Sequence, residues 1–567
     1  MKILGICHDV WICSAALVVD GEVVAAMAEE RLDRRKRSNV FPTLAVEKCL
    51  EMGGLRIGEL DEIAVAWNPV IEMETMPAGF YTRRWRSEHA VSVPARIKAL
   101  LGQPAHPLPG WRNLTRDAPP VTFVDHYLAH IGNAVFLSPF DDCAVLILDG
   151  RGERMTQLMA RVKGVDVTFL DEVCFPHSLG LFYGAITQFL GFRPDSDEWK
   201  VMALSSFAPA ENEYTDELRK LLTLYEDGGF EVDLSYFGWY NYTEPKMYSP
   251  KLVELLGQPR SYGEELTERH EKIAAALQTS FEECVSSMLG ALHRRTGASN
   301  LVVSGGCFMN SVINGKLDDR SPFKESFITG CPDDSGTSVG AALYLESVRT
   351  GKRPAGAMKH NFWGPGFTDS ECLDTVKKYN LPHEVVGDPA VMAAEDLVRG
   401  RLVGWFQGRM EFGQRALGNR SILADPRDAG TKDRVNLAVK YRESFRPFAP
   451  SIIAERVADY FQCRPKDRVP FMERVLNFRP EKTAEVPAVV HVDGTGRLQT
   501  VDRETNPLYY KLISHFEEKT GVPIILNTSF NLNGEAIVCT PTDAIRTFYS
   551  CGLDVLYLGN VRLAKNG

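Results

Sequence analysis

At 567 residues the chain exceeds the ~100–200 residues of an ordinary domain, so two or more domains are expected. Hydrophobic residues make up 44% and charged residues 24%, as in an ordinary soluble globular protein. A net charge of −10 argues against a general nucleic-acid binder, which would be basic, and points any local basic cluster at a small anion.

Twelve cysteines are scattered with no CxxC pair, which suits small buried thiols in a reducing compartment. The N-terminus lacks a signal-peptide layout, and no run of ~18 apolar residues occurs. The expectation is a cytoplasmic protein without a membrane partner.

Lys2–Ile6 and Ser14–Val19 read as strands, with Asp20-Gly21-Glu22 as a hairpin turn into Val23. Glu29 to Arg37 is a charged run, read either as a solvated helix end or as a substrate-facing loop. Thr43–Met52 has helical spacing, Asp61–Trp67 reads as a strand, and the Arg-, Pro- and Trp-rich residues Glu72 to Pro120 read as an insertion that covers substrate. Val121–Val124 is a strand, and His126-Tyr-Leu-Ala-His130 opens a helix. Histidines four apart share one helix face and can reach one metal ion. The strand Cys143–Leu148 ends in Asp149-Gly-Arg-Gly-Glu153, a common phosphate or metal edge in α/β folds. With the two histidines, Asp149 makes a three-ligand set.

Thr267–Leu292 is a long amphipathic helix by period. Asn300–Asn310 reads as strand, then Gly305-Gly306, then a helix start, where backbone amides can approach an anionic ligand. Asp333-Asp334 repeats the strand-end aspartate. The broken residues Gly351–Gly366 read as a linker. A second α/β unit follows, with Asp388-Pro389 capping a helix to about Arg399 and Val403–Phe406 as a strand. That strand leads into Gln407-Gly-Arg-Met-Glu411-Phe-Gly-Gln-Arg415-Ala-Leu-Gly418-Asn-Arg420, and Lys440 and Arg446 follow soon after. Guanidinium forks and an ammonium this close suit an anion with several oxygens, phosphate first. Phe471–Phe478, Ala488–Val492 and Pro523–Leu526 read as further strands, the last running into Asn527-Thr-Ser-Phe-Asn531.

Several of these stretches occur together in a known order: Ser14-Ala-Ala-Leu-Val, Ala28-Glu-Glu-Arg, His126-xxx-His130, Asp149-Gly-x-Gly-Glu153, Ser178-Leu-Gly-x-Phe-Tyr, Ser304-Gly-Gly-x-x-x-Asn310, the Gln407 run, Arg446-Pro-Phe-Ala-Pro-Ser and Asn527-Thr-Ser-Phe-Asn. Over nearly its whole length the chain resembles the O-carbamoyltransferases of nodulation and antibiotic biosynthesis, the NodU/CmcH type. The resemblance implies an N-terminal actin-like (sugar kinase-like) duplicated α/β domain over 1–352, a linker over 353–365 and a C-terminal YrdC-like α/β domain over 366–567. It implies that the C-terminal domain forms carbamoyladenylate from carbamoyl phosphate and ATP (with Mg). The N-terminal domain then delivers the carbamoyl group, with the help of a divalent metal, typically iron, to a hydroxyl of a small-molecule acceptor.

Carried over by position, His126, His130, Asp149 and Asp334 match the metal ligands. Arg415, Lys440, Arg446 and Arg497 match the carbamoyl phosphate and nucleotide phosphate cluster. Ser529 and Asn531 match the Ser-x-Asn element of YrdC-like sites, with Asn527 beside them, and Gly305, Gly306 and Asn310 fall where the N-terminal domain holds nucleotide. His8 is the candidate general base, although the family's His-Asp pair stands about three residues closer to Ser14-Ala-Ala than His8-Asp9 does here. The family's Gly-Lys-x-Met-Gly-Leu is altered to Trp199-Lys-Val-Met-Ala-Leu204. The rival readings are a tRNA threonylcarbamoyl-type modification enzyme, opposed by the acidic charge, and a nucleotide-binding regulatory protein. A homodimer is left open.

Overall fold

The computed structural model describes residues 1–8, 12–75, 89–101, 118–241, 245–354, 356–440 and 445–565. Its residues form two compact units, one of residues 1–29 and 39–358, the other of residues 30–38 and 359–567. Asp9 and most of the predicted Glu72–Pro120 insertion lie outside the described residues. No helix among the described residues is long and apolar enough to cross a membrane.

The fold is mixed α/β. In the first unit, strands β1 (Lys2–Cys7), β2 (Ser14–Val19) and β3 (Glu22–Ala28) form an antiparallel meander. Asp20 and Gly21 turn the hairpin at φ +50° and +83°, the left-handed pair that a tight β-hairpin requires. Strands β4 (Glu62–Val65) and β5 (Val121–Phe123) then add in parallel beside β1, giving the order β3-β2-β1-β4-β5. The pattern recurs. Strands β6 (Asp142–Leu148), β7 (Met155–Lys163) and β8 (Asp166–Cys174) form a second meander. After a small hairpin of β9 (Leu222–Leu224) and β10 (Phe230–Val232), β11 (Asn300–Ser304) and β12 (Glu325–Ile328) add in parallel beside β6. The order β8-β7-β6-β11-β12 repeats that of the first sheet. Both central strands are buried nearly throughout, as expected of strands with cover on both faces.

The predicted long helix spans Glu268–Thr296, four residues past the expected end at Leu292. His293, Arg294 and Arg295 complement the negative helix terminus, and Gly297 ends it at φ +59°. Helix Thr337–Thr350 is seated on bare backbone. A Cβ at Gly5 of β1 would fall 1.8 Å from Ser338 O, one at Gly340 would fall 1.8 Å from Ala129 O, and one at Gly132 would fall 2.1 Å from Gly340 O. The helix carrying His126 and His130 therefore meets its neighbour at a separation only glycine allows.

In the second unit, β14 (Val403–Phe406) and β15 (Arg420–Ala424) lie at the centre of an eight-stranded sheet. Its other strands are β13 (Glu384–Val385), β16 (Ala449–Ile453), β19 (Gln499–Val501), β20 (Ile524–Ser529), β21 (Val555–Leu558) and β22 (Val561–Ala564), in the order β13-β22-β21-β14-β15-β20-β16-β19. Asp388 caps helix Pro389–Val398 as its sequence suggests, accepting from the amides of Ala390 and Val391. Two predicted strands are corrected. Within Phe471–Phe478 only Val475–Asn477 is extended (β17, paired with β18, Thr495–Arg497), because Met472 turns at φ +57°. Within Ala488–Val492 no strand forms: Pro487 opens a short 3₁₀ turn instead. No helix or strand occurs among the described residues of the predicted linker.

The basic run after Glu29 goes with the second unit, not with the residues that flank it in sequence. Arg31 donates to Gly413 O at 2.9 Å, and Arg34 donates to Ala536 O at 2.8 Å and Ile537 O at 2.5 Å. Residues Glu30–Ser38 thus form a strap of the second unit.

Substituting Gly340→Ala forces the Thr337–Thr350 helix off the His126–Ala134 helix and should cost about 2 kcal/mol or more, read by chemical denaturation. Gly58→Ala, which meets its nearest neighbour at an ordinary 3.8 Å, should cost less than about 0.5 kcal/mol.

Candidate functional site

Two constellations stand out, one in each unit. In the first, Asp125 caps helix His126–Ala134 by accepting from Leu128 N at 3.0 Å, which sets His126 and His130 one turn apart on the same face. Their Nε2 atoms are 3.1 Å from each other. Asp149, one residue past β6, brings Oδ2 to 3.0 Å from His126 Nε2 and 3.4 Å from His130 Nε2. Asp334, in the turn before helix Thr337–Thr350, brings Oδ1 to 3.4 and 3.6 Å from the same two nitrogens. One ligand atom from each of the four residues falls within 4.8 Å of all the others.

Burial alone would hold both imidazoles neutral. Asp334 and Asp149 outweigh it and raise His126 well above the ordinary histidine value, and His130 above it as well. Burial likewise pushes the Asp334 carboxyl up, and the two histidines overcome it to hold that carboxyl well below the usual range. Positive charge is thus demanded at the point where the four groups meet. Two imidazole nitrogens and two carboxylate oxygens converging there fit a divalent cation, and the donor set suits iron, manganese or zinc.

Sequence reasoning left Glu153 without a role. Its Oε1 accepts from His126 N at 3.0 Å and from Asn68 N at 2.6 Å, tying the start of the histidine helix to the end of β4. Burial, reinforced by Asp125, pushes its carboxyl up to about 7. The pair Gly305-Gly306 follows β11 directly. Gly305 N donates to Pro332 O at 2.9 Å and Gly306 N to Asp149 Oδ1 at 3.1 Å, so both amides are already engaged within the protein. Asn310 caps helix Ser311–Arg320 through Val312 N and Ile313 N, and its Nδ2 donates to Gln278 at 2.8 Å. His8 follows β1 and packs edge-on against Phe41 at 5.1 Å.

In the second unit Arg415 and Arg420 of the Gln407 run divide sharply. Arg420 is wholly buried. It donates to the carbonyls of Gln407 (2.6 Å), Asn419 (2.9 Å), Pro365 (3.0 Å) and Gly408 (3.3 Å), and lies 3.7 Å over the Phe406 ring. Burial brings it down to about 10, with Glu411 opposing. Glu411 is also buried, and its Oε1 accepts from the amides of Leu417 (2.7 Å), Asn419 (2.8 Å) and Arg420 (3.2 Å). Gly418 sits at φ +102°, where a Cβ would fall 2.3 Å from the Tyr509 ring. The loop is thus closed around an internal carboxylate, and Arg415 lies on it, half-buried.

Lys440, also buried, brings the Ser529 and Asn531 elements together. Its Nζ donates to Ser529 O (2.6 Å), Asn531 O (2.9 Å) and Asn531 Oδ1 (2.9 Å). Ser529 Oγ donates to the same Asn531 Oδ1 at 2.6 Å. Asn527, two residues earlier, faces inward, with Nδ2 donating to Ala416 O, Ser451 Oγ and Gln499 Oε1. Arg446 is half-buried. Arg497, at the end of β18, lies close enough to His491 to add, with Lys432, to the burial that brings that imidazole down to about 4. The strap, read from sequence as a solvated helix end or a substrate-facing loop, adds a cation to the second unit. Burial holds the Lys36 ammonium below the ordinary lysine value, Glu30 opposes this, and Arg37, Arg31 and Arg446 add to it.

Comparison with known proteins sets this arrangement in a family. The family model described as Carbamoyltransferase N-terminus matches residues 2–343, and that described as Carbamoyltransferase C-terminus matches residues 394–565. The chain belongs to the carbamoyltransferase family, and it is a carbamoyltransferase. It is 36% identical to the nodulation protein NolNO of Sinorhizobium fredii, covering 97% of this chain and 78% of that protein. It is 39% identical to an uncharacterised protein of Synechocystis, over 99% of this chain and 96% of that one. Against the 3'-hydroxymethylcephem-O-carbamoyltransferase of Streptomyces clavuligerus the identity is 34%, over 48% of this chain and 50% of the relative. Among solved structures, T. kodakarensis HypF matches with a TM-score of 0.31 and 14% identity, over 61% of this chain and 48% of that chain.

Replacing Glu411 by Ala leaves three buried amides without an acceptor and should destabilise the second unit by about 3 kcal/mol, measured by chemical denaturation.

Proposed function

We propose that the chain is an ATP-dependent O-carbamoyltransferase whose two units divide activation from delivery. The first unit is read as an actin-like duplicated domain, which the repeated strand order supports. The second is read as a YrdC-like domain. The observation that carries the proposal is the pairing, in one carbamoyltransferase chain, of the four-donor cluster with the Lys440–Ser529–Asn531 constellation.

In the second unit, Arg415, Lys440, Arg446 and Arg497 hold the phosphate oxygens of carbamoyl phosphate and of ATP (with Mg) by charge-assisted hydrogen bonds. Ser529 and Asn531, preset by Lys440, present a hydroxyl and an amide to the planar carbamoyl group. Water cleaves carbamoyl phosphate to carbamate and phosphate. A carbamate oxygen then attacks the α-phosphorus of ATP, forming the carbamoyladenylate and releasing pyrophosphate. In the first unit a hydroxyl of a small-molecule acceptor attacks the carbamoyl carbon, and AMP leaves. His8 accepts the hydroxyl proton, since an alcohol is too weak an acid to lose it unaided at neutral pH.

His126, His130, Asp149 and Asp334 would hold the divalent metal, typically iron in this reading, which when bound supplies Lewis acidity to a phosphate or carbamoyl oxygen. Gly306 fixes Asp149 through its Oδ1 and leaves Oδ2 for that task, while Glu153 holds the first turn of the histidine helix. The acceptor is read as a small molecule because the net charge of −10 does not suit a nucleic acid.

Incubation with ATP and carbamoyl phosphate, without acceptor, should release pyrophosphate and yield carbamoyladenylate detectable by mass spectrometry. Lys440→Met should lower that rate at least about 100-fold, as loss of a charged group at developing charge does, while leaving metal content unchanged. Pyrophosphate release that is indifferent to carbamoyl phosphate, or to Lys440→Met, would sink the activation step.

A further inference from the structure

Ser304, Gly305 and Gly306 close β11, and each commits a different group to the four-donor cluster. Gly306 N donates to Asp149 Oδ1 at 3.1 Å, while Oδ2 of the same carboxylate lies 3.0 Å from His126 Nε2. Gly305 N donates to Pro332 O at 2.9 Å, fixing the loop that reaches Asp334 two residues later. Ser304, wholly buried, donates its hydroxyl proton to that same Pro332 O at 3.3 Å and lies 3.2 Å from His130 Nδ1.

A hydroxyl has one proton to give. With it spent on Pro332 O, Ser304 Oγ can only accept from His130, so in the neutral ring that a metal ion requires the remaining proton sits on Nδ1. His130 Nε2 is then a bare lone pair facing His126, Asp149 and Asp334. The opposite tautomer has a strong incentive, because the Asp149 and Asp334 carboxylates, 3.4 and 3.6 Å away, would both accept a proton from Nε2. A proton there blocks a cation. Ser304 is the group that holds the ring in the other form, from a wholly buried position.

We propose that Ser304 is a positioning residue of the metal centre. It sets the His130 tautomer, and the Ser304-Gly305-Gly306 turn arranges three of the four donors before the ion arrives. This rests on the metal reading given above. It gives the turn a task at the metal.

The test is titration of the metal-free full-length protein with Co²⁺, read by the visible absorption of the bound ion and by competition with a chelator of known affinity. Ser304→Ala should weaken Co²⁺ binding about 10- to 100-fold, as loss of an outer partner of a ligating histidine does, with the melting temperature of the metal-free protein little changed. Ser304→Cys, which keeps a poorer acceptor of similar size, should fall between, and it carries the test if the alanine variant does not fold. Equal affinity in wild type and variants would overturn the role of Ser304 while leaving the metal site standing. Absence of Co²⁺ binding in the wild type would overturn both.

Discussion

Four groups, three of them buried, that cannot all keep their ordinary protonation states meet in the first unit. Two imidazole nitrogens 3.1 Å apart and two carboxylates within 3.6 Å of them demand a positive charge at their centre. Much of the surrounding architecture reads as the means of holding them there. The histidine helix is pressed against its neighbour through Gly132 and Gly340, its first turn is pinned by Glu153, and the two aspartates are held by the end of β11. A protein interior tolerates such a concentration of polar groups only when each has a partner.

The second unit solves a related problem with an internal anion. Glu411 fills the nest of amides that its own loop creates, and Arg420 neutralises it while binding four carbonyls. Both side chains are thus committed within the protein. The Lys440 ammonium organises Ser529 and Asn531.

Local patterns in the sequence carried much of this. The four-residue spacing of His126 and His130, the strand ending at Asp149 and the cap at Asp388 are short-range features, and each is present in the structure. Longer-range facts were silent. Nothing local separates Arg415 from Arg420, because what divides them is a shell of carbonyls drawn from Pro365, Gln407, Gly408 and Asn419. The charged run Glu30–Ser38 gave no sign that it would join a unit formed more than 300 residues later in the chain, because its partners are backbone carbonyls at Gly413, Ala536 and Ile537, which carry no sequence signature. The double glycine signalled a close backbone approach, and the sequence did not show that its amides reach Pro332 O and Asp149 Oδ1.

The central claim is that activation and delivery are separate events in separate units, with the metal needed only for the second. It is tested most directly by His130→Ala, assayed in parallel for bound metal, for pyrophosphate released from ATP with carbamoyl phosphate, and for decay of the carbamoyladenylate in the presence of hydroxylated acceptors. The account predicts a variant that has lost its metal and its acceptor-dependent step but forms carbamoyladenylate at the wild-type rate. A variant that keeps its metal, or loses pyrophosphate release along with it, would contradict that division.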